Sequence, residues 1–126
     1  VATEILIIED EKDIRDFAAR VLELEGYHVL EAVNGGEGMR MLRRYPVSLV
    51  LLDLRLPDCD GWALLAELKS DPHLSGVPVV MFTASAAESR RSQALAIGAV
   101  DYLVKPLSAA RLKDTVHSIL ARKREL

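Results

Sequence analysis

Five short apolar runs alternate with stretches of helical period, and this alternation constrains the chain more than any other feature. The runs are Ile5-Leu6-Ile7-Ile8, Tyr27 to Leu30, Leu49-Val50-Leu51-Leu52, Val77 to Phe82 and Val100 to Val104. Most are rich in Val and Ile and too short for a core helix, so each reads as a strand. Tyr27-His28-Val29-Leu30 is the least uniformly apolar and reads as an edge strand. In the first intervening segment Ile14, Phe17, Ala18, Val21 and Leu22 fall on one helix face, and Gly26 sits where a C-terminal cap belongs. Ala109, Leu112, Val116, Ile119 and Leu120 repeat the pattern after a candidate N-cap at Ser108. Ser85-Ala86-Ala87-Glu88 has the form of a capping box, with Ser85 as N-cap of a helix that stops at Gly98. Shorter helices are expected over about 36–44 and 62–70. The chain therefore reads as βα repeated five times: a single-domain α/β fold, doubly wound, with a five-stranded parallel sheet covered on both faces by five helices.

Composition narrows the function. A length of 126 residues suits one domain, and 50% hydrophobic residues suffice for a packed core. A net charge of −3 argues against a dedicated binder of nucleic acid or anionic membrane. The single Cys59 excludes an internal disulfide framework, reads as a loop residue rather than a redox centre, and no zinc-type spacing is present. No apolar run is long enough to span a bilayer and no signal peptide opens the chain, so a cytoplasmic location is expected. Val1 in place of Met reads as a processed or excised chain, and Arg122-Lys123-Arg124 as a solvated helix end rather than a nucleic-acid arm. His28, His73 and His117 show no partners in the sequence and read as surface or edge residues.

In an open parallel sheet, ligands bind beyond the carboxyl ends of the strands. The first run ends in Glu9-Asp10, the third in Asp53, the fourth in Thr83 and the fifth in Lys105-Pro106. Any one of these alone is a turn former, a cap or a solvated charge. Four polar ends on one edge are not accounted for by capping. Glu9, Asp10 and Asp53 together bring −3 into one cleft, Lys105 returns +1, and one divalent cation neutralises the remainder. An all-oxygen donor set favours Mg²⁺, with Asp10 and Asp53 as direct ligands and Glu9 acting through water. A carboxylate beside Mg²⁺, a lysine and a hydroxyl can accept a phosphoryl group, forming an acyl phosphate on Asp.

The chain resembles the receiver domain of two-component response regulators over essentially its whole length, 1–126. The resemblance rests on Ile5-Leu6-Ile7-Ile8-Glu9-Asp10-Glu11, on Leu51-Leu52-Asp53-Leu54-Arg55-Leu56-Pro57-Asp58-Cys59-Asp60-Gly61, on Met81-Phe82-Thr83-Ala84, and on Gly98-Ala99-Val100-Asp101-Tyr102-Leu103-Val104-Lys105-Pro106. It implies a flavodoxin-like sheet of strand order 2-1-3-4-5, with Asp53 as phosphoacceptor. Glu9 and Asp10 match the acidic pair that holds Mg²⁺, with the backbone carbonyl of Arg55 as a further ligand. Thr83 matches the switch hydroxyl, Tyr102 the switch aromatic, Lys105 the lysine that contacts the phosphoryl group, and Pro106 a proline that typically follows a cis bond. The implied donor is a phosphohistidine on a sensor histidine kinase or a histidine phosphotransfer protein, and the implied role a phosphorylation-dependent switch that catalyses its own phosphotransfer and slow dephosphorylation rather than a multiple-turnover enzyme.

Arg55 and Ser85 match positions that tune dephosphorylation; a solvated Arg55 and a capping Ser85 are the plain alternatives. Asp58, Asp60 and Gly61 read as shaping the loop and capping the third helix. The winged-helix branch of the family has an acidic residue and then an Arg four positions later in its last helix; here Arg111 and Thr115 stand there, which weakens the expectation of that branch's dimer. A Mg²⁺-dependent phosphatase resembling the haloacid-dehalogenase group is the enzyme alternative, but it wants an Asp where Arg55 stands. A degenerate receiver used only for binding is the third reading. At this length the expectation is one receiver with nothing left over for an output domain, acting alone, within a hybrid kinase or ahead of further segments.

Overall fold

The computed structural model describes residues 3–125, with side chains through Arg122; Val1 and the side chains of Lys123 and Arg124 lie outside the described residues. The elements are β1 (Glu4–Ile8), α1 (Lys12–Leu24), β2 (His28–Ala32), α2 (Gly35–Arg44), β3 (Leu49–Leu52), α3 (Gly61–Ser70), β4 (Val79–Thr83), α4 (Glu88–Ile97), β5 (Asp101–Val104) and α5 (Ala109–Glu125). All strand pairs are parallel, in the order β2-β1-β3-β4-β5. The weakly apolar second strand is at the edge, as its composition predicts.

The period of two along each strand divides the core into two layers. Leu6, Ile8, Val50, Leu52, Val79 and Met81 face α2, α3 and α4, packing with Leu42, Leu64, Leu65, Leu68 and Ala94. Ile5, Ile7, Leu49, Leu51, Val80, Phe82 and Leu103 face α1 and α5, packing with Ala18, Val21, Leu22, Leu112, Val116 and Ile119. Central strands buried on both faces need continuous apolar runs, and β1, β3 and β4 supply them. Each fully buried Leu or Ile contributes about 2 kcal/mol of transfer free energy. Among the described residues no helix is long and apolar enough to cross a membrane.

Gly26 and Gly98 end α1 and α4 with φ of 93° and 131°, a region that costs other residues strain. Ser108 caps α5, its hydroxyl accepting from the Arg111 amide at 3.0 Å. The capping box at Ser85 does not form. The N-cap of α4 is Ala87, without a side-chain bond, and Ser85 lies two residues upstream. Phe17 shares a helix face with Ala18 and Val21 yet is 44% exposed, because it lines a cleft beyond the sheet edge. Two histidines do have partners: His28 Nδ1 is 3.2 Å from Glu4, and His117 Nε2 is 3.2 Å from Glu25, its ring tilted against Tyr27.

Candidate functional site

Strand register assembles the site. The amide of Glu9 donates to the carbonyl of Ala32, that of Asp53 to Ile8, and that of Lys105 to Thr83, so the carboxyl ends of β1, β3, β4 and β5 finish side by side. Glu9, Asp10 and Asp53 each present a carboxylate oxygen within 4.8 Å of the others. Lys105 reaches across from the end of β5. Its Nζ bonds Glu9 Oε1 and lies 3.2 Å from Asp53 Oδ2, with its charge 5.0 Å from the Phe82 ring centre. Asp53 Oδ1 accepts from the Arg55 amide at 3.3 Å, and Glu9 Oε2 from the Glu11 amide at 3.1 Å. Glu9, Asp53 and Thr83 are buried and Asp10 is exposed. The group opens into a cleft of about 960 Å³ whose walls include Phe17, Arg55, Thr83, Ser85 and Pro106. The Lys105–Pro106 bond is cis.

Electrostatics follow from burial. Loss of solvent pushes the Glu9 carboxyl up to about 7, against the lowering effect of its bonds to Lys105 and to the Glu11 amide. Burial works to lower Lys105, but its bond to Glu9 and the charge of Asp53 outweigh it and the ammonium is held above its usual range. The folded chain therefore keeps a proton on Glu9 that the unfolded chain releases near 4.5. Without metal, stability should be highest below that value and decline as pH rises toward 7, by on the order of 3 kcal/mol. Urea unfolding of the metal-free chain and of Glu9→Gln across this window tests it: the decline should be largely missing in the variant.

The loop after β3 is fixed at several points. The backbones of Arg55 and Asp60 pair in an isolated antiparallel β-bridge, and the Asp60 side chain caps α3 by accepting from the Trp62 amide at 3.0 Å. A Cβ on Gly61 would lie 2.5 Å from the Asp53 carbonyl oxygen and 2.6 Å from Leu54 Cα, so only glycine lets α3 start this close behind Asp53. Asp58 does not cap α3, contrary to the sequence reading. Its two carboxylate oxygens accept from the amides of Gly35 and Gly36 at 2.8 and 2.9 Å, at the start of α2. Those amides, Gly36 first, hold the Asp58 carboxyl below its usual range. Cys59 packs beside Gly35, and burial followed by the Asp58 charge pushes its thiol up, which agrees with a loop residue rather than a redox centre.

Tyr102 is fully buried, its hydroxyl donating to the Ser85 carbonyl at 2.7 Å, and Thr83 Oγ1 accepts from the Ser85 amide at 3.4 Å. Sequence reasoning did not single out Arg91. From α4 it donates to the Tyr102 carbonyl at 3.0 Å and lies 3.6 Å from Asp101. It also passed over Arg15, which reaches back from α1 to the Glu9 carbonyl. Only the position of Arg15, one turn after Glu11, hinted at this.

A family model described as "Response regulator receiver domain" matches residues 5–117. The phosphate regulon transcriptional regulatory protein PhoB of Pseudomonas aeruginosa is 37% identical over 122 residues, covering 97% of this chain and 53% of that protein. The chain spans about half the length of the first curated relatives it matches. A CheY-like response regulator receiver domain protein from Methanospirillum hungatei JF-1 superposes with a TM-score of 0.91 at 30% identity, covering 99% of this chain and 98% of that one. The Mn²⁺-bound form of response regulator Rcp1 superposes with a TM-score of 0.79 at 30% identity, covering 93% and 91%.

Proposed function

The chain belongs to the response regulator receiver family of two-component signalling, and from that premise we propose that Asp53 is its phosphoacceptor and that residues 1–126 act as one receiver unit. The observation that carries the assignment is the convergence of Glu9, Asp10 and Asp53 with the Lys105 ammonium bonded to two of them. A carboxylate oxygen of Asp53 attacks phosphorus, the P–N bond of a phosphohistidine breaks, and a P–O bond forms. Lys105 holds negative charge as it spreads over the phosphoryl oxygens, and the Thr83 hydroxyl donates to one of them afterwards. The donor set fits Mg²⁺: hard oxygens, with Asp10 exposed enough to leave room for retained waters. Asp10 and Asp53 would hold it directly, with the Arg55 carbonyl as a further ligand and Glu9 acting through water. Bound Mg²⁺ would supply charge neutralisation at the transferring group. Response regulator Rcp1, 30% identical, has a Mn²⁺-bound form, which supports divalent-cation binding by this chain.

Phosphorylation adds a dianion with three strong acceptors beside Thr83. When the hydroxyl turns to it, the Ser85 amide loses its bond and the Ser85–Tyr102 contact is free to rearrange, so Thr83 and Tyr102 form the switch. A sensor histidine kinase or phosphotransfer protein in the cytoplasm donates the group. The output belongs to a downstream protein or to further segments of the kind that complete the longer relatives. The chain transfers and slowly loses its own phosphoryl group without multiple turnover.

Acetyl phosphate with Mg²⁺ tests this. One phosphoryl group should be incorporated per chain, chelation should prevent it, and Trp62 fluorescence should change on adding Mg²⁺ and again on phosphorylation. Sustained hydrolysis of a phosphate monoester would instead show an enzyme.

A further inference from the structure

The loop between β1 and α1 carries both members of the acidic pair, and it lacks the usual anchor of such a loop. The N-cap of α1 is Glu11, whose side chain makes no capping bond. The tie comes from the helix. Arg15 turns back so that Nη1 donates to the Glu9 carbonyl at 2.9 Å and lies 3.4 Å from the Asp10 carbonyl. Its Nε lies 3.4 Å from Glu31 at the end of edge strand β2. The Arg15 side chain is 13% exposed, low for a guanidinium, and its charge is matched by Glu31. One rigid fork thus spans two consecutive carbonyls and a carboxylate, which a lysine's single ammonium does not reproduce.

We propose that Arg15 is a positioning residue for the phosphoryl-transfer site: it fixes the backbone of Glu9 and Asp10, and so the direction in which their carboxylates point, without touching metal or phosphoryl group. The proposal rests on the reading of Glu9 and Asp10 as the metal-binding pair. The Glu9 side chain is already held by Lys105 and the Glu11 amide. Among the described residues no partner restrains the exposed Asp10 side chain, so its aim depends on the backbone that Arg15 grips. Groups that orient metal ligands from behind typically change metal affinity about 10- to 100-fold when removed.

The test uses the whole chain carrying Arg15→Met or Arg15→Lys. Mg²⁺ affinity is read by Trp62 fluorescence, and exchange of the Glu11 amide is followed by NMR without metal. Both variants should bind Mg²⁺ roughly tenfold more weakly. Both should exchange the Glu11 amide faster, while acetyl phosphate at saturating Mg²⁺ restores most of the labelling rate. Mg²⁺ affinity within twofold of wild type in either folded variant overturns the proposal, even if the melting temperature falls, since that is a purely structural role. Should the Met variant not fold, the Lys variant decides. If the wild-type chain itself binds no Mg²⁺, the metal reading fails, and unchanged Glu11 exchange then sinks the positioning role separately.

Discussion

Asn in place of Asp53 should leave a folded chain that takes up no phosphoryl group. The substitution keeps the shape of a side chain buried beneath the cleft, and its remaining oxygen can still accept from the Arg55 amide. What it removes is the nucleophile, because an amide oxygen does not form a stable acyl phosphate. It also removes one of the three carboxylates, so Mg²⁺ should bind more weakly though Asp10 and Glu9 remain. Labelling with acetyl phosphate at saturating Mg²⁺ should fall to background while the far-UV spectrum is unchanged. Uptake at the wild-type rate would mean that another group is the acceptor, and the assignment of the cleft would fail with it.

The second large effect is on stability. Lys105→Met takes away the cation bonded to Glu9, which has no exposed surface, and leaves a carboxylate without its compensating charge. Breaking one side of a buried pair costs roughly 3–5 kcal/mol. The cost should depend on pH in a definite direction. The bond to Lys105 lowers the Glu9 pKa, so its loss raises that pKa further above the 7 of the intact site. At pH 8 the variant must either bury the charge or take up a proton, and at pH 5.5 Glu9 is already protonated. The destabilisation relative to wild type should therefore be greater at pH 8 than at pH 5.5, as measured by urea unfolding. An equal loss at both values would show that Glu9 and Lys105 are not coupled in this way. Phosphotransfer should slow by about 10²-fold, the usual effect of deleting one donor to a developing charge.

The sheet was legible because its central strands β1, β3 and β4 are buried on both faces. Such strands leave runs of Val, Ile and Leu that no other short element needs, and each run ends where the chain leaves the core. For the same reason the strand-end residues Glu9, Asp53, Thr83 and Lys105 could be assigned to one edge, where they stand. Residues that hold these groups in place were not legible. Arg15 and Arg91 look like solvated charges in a one-dimensional reading, and Asp58 like a cap of the helix that follows it, because Glu31, Tyr102 and the Gly35 amide come near only after folding. The capping box at Ser85 failed for a related reason. Its backbone carbonyl is engaged by the Tyr102 hydroxyl, a contact from 17 residues away that competes with local helix geometry. The exposure of Phe17 was hidden too, since helical period gives the face but not where the helix outruns the sheet.

The meeting of Cys59 and Gly35 bears on how this switch can be watched. A Cβ at Gly35 would stand 2.3 Å from the Cys59 sulfur, so the thiol fills the gap through which Asp58 grips the start of α2. A maleimide dye attached there would act as a wedge, parting the loop that follows Asp53 from the helix it is tied to. The raised thiol pKa also slows such coupling at neutral pH. Resistance to alkylation thus becomes a simple gauge of whether loop and helix are still joined. A faster-reacting Cys59 after phosphorylation would report that the grip had opened, whereas a reporter dye needs a cysteine engineered elsewhere.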